Sequence, residues 1–315
     1  MSESTQPTSA IASMRTAALL LVVVIVLWGA NWPVMKVGLH YMPPLTFAAI
    51  RMALGAFIMF AVNAATGRLH LPSRNDWKIV LSVGSMQMGG FLMLIISGLQ
   101  FVPPGRSSIL AYTTSLWVVP LAAFFLSERL PKLKLLGFVI GIAGVGVMFN
   151  PLGFDWSNPD VILGNGLLML GAVLWAVQIV QVRGHRWEGS PLTLAPWQFT
   201  VAACVITPFA FYFDHGRSID WGPTVGLILF YNGPIATAFG FWAVLTVTRA
   251  LPAVTTSLAT LGVPVVGLLL SALFLNEALT VTLVGGLLLI LAGLVLVTLA
   301  DRARSARTAR QTSNN

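Results

Sequence analysis

The sequence predicts an all-α membrane protein of ten transmembrane helices, arranged as two inverted five-helix repeats. Three observations predict it. The 315 residues are 57% hydrophobic and only 9% charged, whereas charged residues make up roughly a quarter of a soluble domain. The apolar residues gather in ten runs of about membrane length. The first half of the chain can also be laid over the second. Composition excludes several classes directly, because a soluble fold cannot disperse so much apolar surface. The single cysteine, Cys204, allows no internal disulfide and no Cys-based zinc site. No metal and no cofactor is expected.

A bilayer core of about 30 Å needs roughly 20 apolar residues per helix. Backbone groups in lipid must be satisfied within the segment, so such runs are helices. They cover about 16–36, 44–63, 77–98, 104–126, 133–149, 161–182, 192–212, 223–245, 252–275 and 280–299. The fifth is the shortest, bounded by Lys134 and Asn150. Residues 1–15 are Ser/Thr-rich and expected to be disordered, residues 16–150 and 151–300 form the two repeats, and residues 301–315 are a basic tail. The first run differs from a signal peptide. Only Arg15 precedes it, no A-x-A site follows, and it continues through Trp32 to Lys36.

Basic residues set the orientation. With the N-terminus inside, fourteen Lys and Arg fall in inside segments and three (Lys36, Arg106 and Arg217) outside, with Arg51 inside the second span. Both termini are then cytoplasmic, in a bacterial inner membrane. This asymmetry also accounts for the net charge of +8: it faces anionic lipid and requires no nucleic-acid partner.

The repeat is read at two offsets. At 147, Leu27-Trp28 falls on Leu174-Trp175, Asn31 on Gln178, Lys36 on Arg183, and Arg51 on Gln198. At 149, Pro103 falls on Pro252, Ser108 on Ser257, Glu128 on Glu277, and Ala143-Gly144 on Ala292-Gly293. Leu and Ala matches mean little in apolar helices. The Trp, Glu, Pro and basic matches keep their order. Five helices per half is an odd number, so the second half enters from the other face. Inverted repeats of this kind are typical of secondary transporters, with a site at the repeat interface near the midplane.

Trp28-Gly29-Ala30-Asn31-Trp32-Pro33 with Lys36 resembles the first-helix signature of the drug/metabolite transporter superfamily. Pro44 through Arg51 resembles its second-helix pattern. Phe125-Leu126-Ser127-Glu128 and Phe274-Leu275-Asn276-Glu277 resemble the paired segments that close its fourth and ninth helices. The resemblance covers about residues 16–300 and is most specific in the EamA-type ten-helix branch. It implies export of small metabolites, most like the bacterial amino-acid exporters, including the aromatic ones. It also implies a central cavity lined by helices 1–4 and 6–9, with helices 5 and 10 at the side. Gly137, Gly141, Gly144 and Gly146, and Gly285, Gly286 and Gly293, give those two helices small faces for close packing. Three departures stand out. Ser115 occupies the place where Pro264 keeps the family's proline, and Ser127 and Asn276 replace its usual glycine. The fourth helix is therefore expected to bend at a different depth from the ninth.

The membrane interior holds one cation, Arg51, and no acid. An intramembrane charge is a functional hypothesis, here as a contact for a substrate carboxylate, against snorkelling or pairing with a helix end. All four histidines fall in loops, so no buried proton relay is visible. The remaining candidates are uncharged: Trp28, Asn31, Gln87, Tyr112, Trp175, Gln178, Tyr231, Asn232 and Thr260. Amides and hydroxyls can bind a zwitterion, and aromatic faces suit an aromatic side chain or an ammonium. Each could instead be interhelical glue. Glu128 and Glu277 close helices at opposite faces and are expected to act as hinges or gates by capping a neighbouring helix. Pro33 and Pro264 are expected hinges because each removes a backbone bond. No nucleophile–base or metal constellation points to an enzyme, and no charged ring points to a channel. The expected partners are a small-molecule substrate, such as a neutral amino acid or related metabolite, and membrane lipid. The expected assembly is a monomer or weak homodimer.

Overall fold

A computed structural model describes residues 7–126, 130–149, 155–182, 188–251, 256 and 259–313. Among them, nine helices are long and apolar enough to cross a membrane, and a tenth apolar helix is shorter. They are α1 (Pro7–Gly38), α2 (Pro44–Ala65), α3 (Asp76–Leu99), α4 (Pro104–Phe125), α5 (Lys132–Phe149), α6 (Pro159–Val182), α7 (Pro191–Phe213), α8 (Pro223–Val247), the short α9 (Gly262–Leu275) and α10 (Val281–Ser313). The ten-helix fold therefore stands. Glu128 lies outside the described residues, as does most of the chain leading into α9.

Local chemistry sets the helix ends. Pro44, Pro104, Pro191 and Pro223 each sit in the first turn of their helix, where a missing N–H costs nothing and φ is already helical. The turns after α2 and α7 use Gly67 (φ 65°) and Gly216 (φ 76°), a left-handed conformation that glycine adopts without strain. After α9 the same region is taken by Asn276 (φ 54°), the residue standing where the family's glycine is usual. Asparagine is among the few other residues that tolerate it.

The halves interlock. Gly29 of α1 lies against Val266 and Gly267 of α9, and Gly262 against Ile25, so α1 and α9 run parallel. The other side of α1 meets α8 antiparallel, with Gly38 near Ile228 and Gly240 against Trp28. The second half repeats this arrangement. There, α6 packs parallel to α4 through Val118, Ala122, Ala176 and Val180, and antiparallel to α3 through Gly98 and Gly164. Each half's first helix is thus inserted between the third and fourth helices of the other. Two pairs join like with like. In the antiparallel α2–α7 pair, Asp214 Oδ2 accepts from the Thr46 backbone N–H at 2.7 Å and its hydroxyl at 2.8 Å. At the pair's far end, Asp76 accepts from the N–H groups of Glu188 at 3.2 Å and Gly189 at 2.7 Å. Both aspartates are buried; Asp214 satisfies donors at the start of α2, and Asp76, at the start of α3, holds the loop ahead of α7, whose own cap is Ser190.

The other pair is α5–α10. A Cβ placed on Gly137 would lie 2.7 Å from the Gly293 carbonyl oxygen, and one on Gly144 would lie 2.7 Å from the Ile290 nitrogen. These backbones touch because no side chain intervenes. The expected small faces need correction at one position, Gly146. Gly146 is exposed and meets nothing within 4 Å, whereas Gly285 is half-buried and touches Val147 of α5 at the ordinary contact distance of 3.9 Å.

Four helices are interrupted. α3 contains a π-helical segment, Val83–Gly90, and α8 contains another, Tyr231–Phe239. Their starts are offset by 148 residues and their ends by 149, in line with the sequence repeat. α4 breaks at Thr113, and α9 is preceded by a break at Leu261. The bend in α4 therefore lies level with the one in α9, not at a different depth. Near α9, Pro264 cannot donate to the Thr260 carbonyl. In α4 two hydroxyls take the place of proline, with Thr113 Oγ1 donating to the Leu110 carbonyl at 2.6 Å and Thr114 Oγ1 to Ala111 at 2.8 Å. Such back-bonding bends helices.

Candidate functional site: polar clusters at the interrupted helices

Side chains add hydrogen bonds to carbonyls of the π turn in α8. Thr237 Oγ1 donates to the Asn232 carbonyl at 2.7 Å, and the Trp28 indole N–H donates to Ala236 at 3.0 Å. Tyr231 extends its hydroxyl to the Leu27 carbonyl at 2.6 Å. Arg51 enters from α2. Its Nε donates to Thr237 Oγ1 at 2.8 Å and its Nη1 to the Met35 sulfur at 3.0 Å. Neither partner is charged, so among the described residues this intramembrane guanidinium has no carboxylate. Trp28, Arg51, Tyr231 and Asn232 thus form one cluster on α1, α2 and α8. Asn31 and Met35 lie on the same face of α1.

The second cluster joins α6 to α3. Trp175 packs edge-to-face on Phe91, with ring centroids 4.3 Å apart. The Gln178 amide and the Ser82 hydroxyl exchange bonds of 2.8 and 3.1 Å. Gln87 sits in the α3 π segment, partly exposed. Tyr112 lies at the break in α4 and Thr260 just before the break at Leu261, both partly exposed. Pro33 and Pro264 are buried.

One end of the bundle is tied by charge. Lys36 turns inward, donating to the carbonyls of Leu99, Gln100 and Val102 at 2.6, 2.8 and 3.3 Å, as a cation does at a helix C-terminus. Glu277, returned by the Asn276 turn, accepts from the N–H groups of Gly105 at 2.7 Å and Arg106 at 3.0 Å. The Arg106 guanidinium lies 5.2 Å from the centre of the Phe149 ring. Burial raises the Glu277 carboxyl above its ordinary 4.5, while the two backbone bonds and the charges of Arg106 and Lys36 pull the other way.

Two open grooves lie elsewhere, at the ends of the α2–α7 pair. One of about 470 Å³ runs along Thr46, Ile50, Thr207 and Phe211. One of about 380 Å³ is lined by His70, Ser73, Asp76 and Thr193. Neither includes a residue singled out from the sequence. Sequence reasoning missed Thr237, Ser82 and Phe91, which hold Arg51, Gln178 and Trp175 in place, and the buried aspartates Asp76 and Asp214. Thr237 carries two bonds at once. Thr237→Val is expected to leave the Arg51 Nε–H unpaired, costing about 2 kcal/mol. A lower melting midpoint in detergent checks this, with Thr237→Ser restoring it.

Two interlocked five-helix halves, with polar groups gathered at matched interruptions, define a multi-pass membrane transporter. The chain belongs to the EamA-like transporter family, whose profile matches it twice, over residues 15–150 and 162–299. It is 29% identical to the uncharacterized transporter YoaV of Bacillus subtilis over 278 residues, 87% of this chain and 94% of that one. It is 31% identical to a probable amino-acid metabolite efflux pump of Salmonella typhimurium over 317 residues, covering 94% of this chain and 98% of that one. A crystal structure with a TM-score of 0.62 covers 91% of this chain and 99% of its own at 23% identity, a likeness of fold.

Proposed function

We propose that this protein exports neutral amino acids, aromatic ones among them, by alternating access across a bacterial inner membrane, with both termini cytoplasmic and without enzymatic chemistry. The observation that carries the reading is the matched set of interruptions in α3, α4, α8 and α9, with Trp28 and Trp175 beside the π segments. Irregular backbone at membrane depth is tolerated where it is buried in protein or lines a cavity, and π turns are frequent at functional sites. Aromatic faces and amides suit a zwitterion with a large apolar side chain. The relative named as an amino-acid metabolite efflux pump supports the substrate class, and the distribution of basic loops supports the orientation.

The contacts suggest how the halves move. α1 travels with α8 and α9, and α6 with α3 and α4, about an axis through the α2–α7 and α5–α10 contacts. The interruptions absorb the change. Counterflow of labelled phenylalanine, tryptophan and threonine in proteoliposomes tests the reading. Saturable uptake is expected, weakened about tenfold in Trp175→Ala by loss of one aromatic contact. Folded protein that carries none of the three would discard the amino-acid assignment in favour of another metabolite or drug.

A further inference from the structure

We infer that Asn31 and Arg51 form a clamp for the head group of an α-amino acid, Asn31 taking the ammonium and Arg51 the carboxylate. The inference rests on the amino-acid reading above and adds which groups of the substrate are recognised.

Asn31 is 94% buried by its 6% exposure, and its Oδ1 has no hydrogen-bond partner. A buried acceptor left unpaired costs free energy, so a native protein keeps one only where something else fills it. The buried Asn63, Asn165 and Asn232 also leave Oδ1 unpaired; what separates Asn31 is that its amide makes no side-chain hydrogen bond at all. Asn63, Asn165 and Asn232 each donate to the carbonyl four residues earlier, which is ordinary helix chemistry. Asn31 makes no such bond, and its repeat counterpart Gln178 is saturated by Ser82. Which amide atom is oxygen is settled by the ligand: a donor-only ammonium selects Oδ1.

Arg51 complements it. The guanidinium is fixed at two points by Thr237 and Met35, leaving Nη2 for an acceptor. Arginine presents a planar fork that matches a carboxylate. The spacing follows from α1. Asn31 and Met35 are four residues apart, about 6 Å along the helix axis, on one face, and Arg51 docks at Met35. The ammonium and carboxylate of an α-amino acid sit on one carbon. Asn31 and the Arg51 anchor at Met35 lie about one turn apart on one side of α1, the two ends between which the head group is proposed to bind. Trp28 lies three residues before Asn31 on the same face, beside the place for the substrate's side chain. The second half cannot do the same, because Gln198 stands where Arg51 would be. The clamp therefore has one charged end and holds the substrate in one direction.

The test is competition against labelled phenylalanine counterflow, using phenylalanine, phenylalaninamide (no carboxylate) and N-acetylphenylalanine (no ammonium). In wild type both analogues are expected to compete about tenfold or more weakly, the factor for one charge-assisted hydrogen bond. Asn31→Ala should erase the penalty on the N-acetyl compound only. Arg51→Gln should erase the penalty on the amide only. Either pattern identifies the group each residue reads, which a merely structural role would not change. Equal competition by all three compounds in wild type overturns the clamp and leaves amino-acid export standing. Variants that lower all uptake without altering the ranking overturn it as well. Absence of phenylalanine, tryptophan and threonine uptake by folded wild type removes the reading and the clamp together.

Discussion

Gly293→Val is expected to leave little monodisperse protein on solubilisation. A Cβ at Gly293 would lie 2.5 Å from the Gly137 carbonyl oxygen, 2.6 Å from the Gly141 nitrogen and 2.7 Å from its Cα. All three are backbone atoms of α5, so no rotamer change relieves the clash and the two helices must part. Overpacking typically costs 1–3 kcal/mol. Here the upper end, about 3 kcal/mol, is expected for valine, with a smaller loss for alanine. The controls are built in. Gly146→Val on α5 faces open space and should elute and melt like wild type, while Gly285→Val, whose Cβ only just meets Val147, should lose far less than Gly293→Val. Size-exclusion profiles and melting curves of the four variants check the seam. A normal Gly293→Val protein would show that α5 and α10 do not meet there.

The second large effect is expected at Glu277. Glu277→Ala strips the acceptor from two N–H groups that open α4 and removes the negative charge beside Lys36 and Arg106. A lost helix cap with unpaired donors costs about 2 kcal/mol. Glu277→Gln retains one acceptor oxygen and should fall between alanine and wild type at neutral pH. The pH dependence has a definite sign. Burial holds the folded carboxyl above its ordinary 4.5, so the folded state binds this proton more tightly than the unfolded chain does. Stability from this group is present below 4.5 and is lost as pH rises through the raised folded value. The wild-type melting midpoint should therefore drop over that window, and Glu277→Gln should flatten that part of the profile. Parallel profiles for the two proteins would remove Glu277 as the cause.

The fold was legible because membrane helices write themselves as apolar runs, and the repeat because tryptophans, prolines and acids are rare enough to keep register. The site was legible only in part. Arg51 is visible as a charge inside a span. Thr237, which holds it, is one small residue in an apolar stretch and reads as packing. Phe91, under Trp175, resembles any phenylalanine facing lipid. Asp76 and Asp214 fall outside the apolar runs and read as loop charge, yet both are buried, Asp214 capping the start of α2 and Asp76 holding the loop ahead of α7. The level of the bend in α4 was misread because proline is the obvious breaker. Two adjacent threonines bonding back to their own helix carry no comparable mark in one sequence. The outward position of Gly146 depends on helix rotation, which a stripe of glycines does not determine.

The mismatch between Asn31 and Gln178 has a consequence for redesign. The features that shape motion occur twice: left-handed glycine turns, π segments, breaks, and buried aspartates at both ends of one helix pair. An alteration to any of them disturbs a symmetric mechanism on one side only, and a compensating change has a known address in the other half. The free amide and the lone guanidinium occur once. Under the proposed clamp, the head-group contacts of Asn31 and Arg51 belong to the first half, while the elements proposed to move keep duplicate parts in the second, so the two can be altered separately.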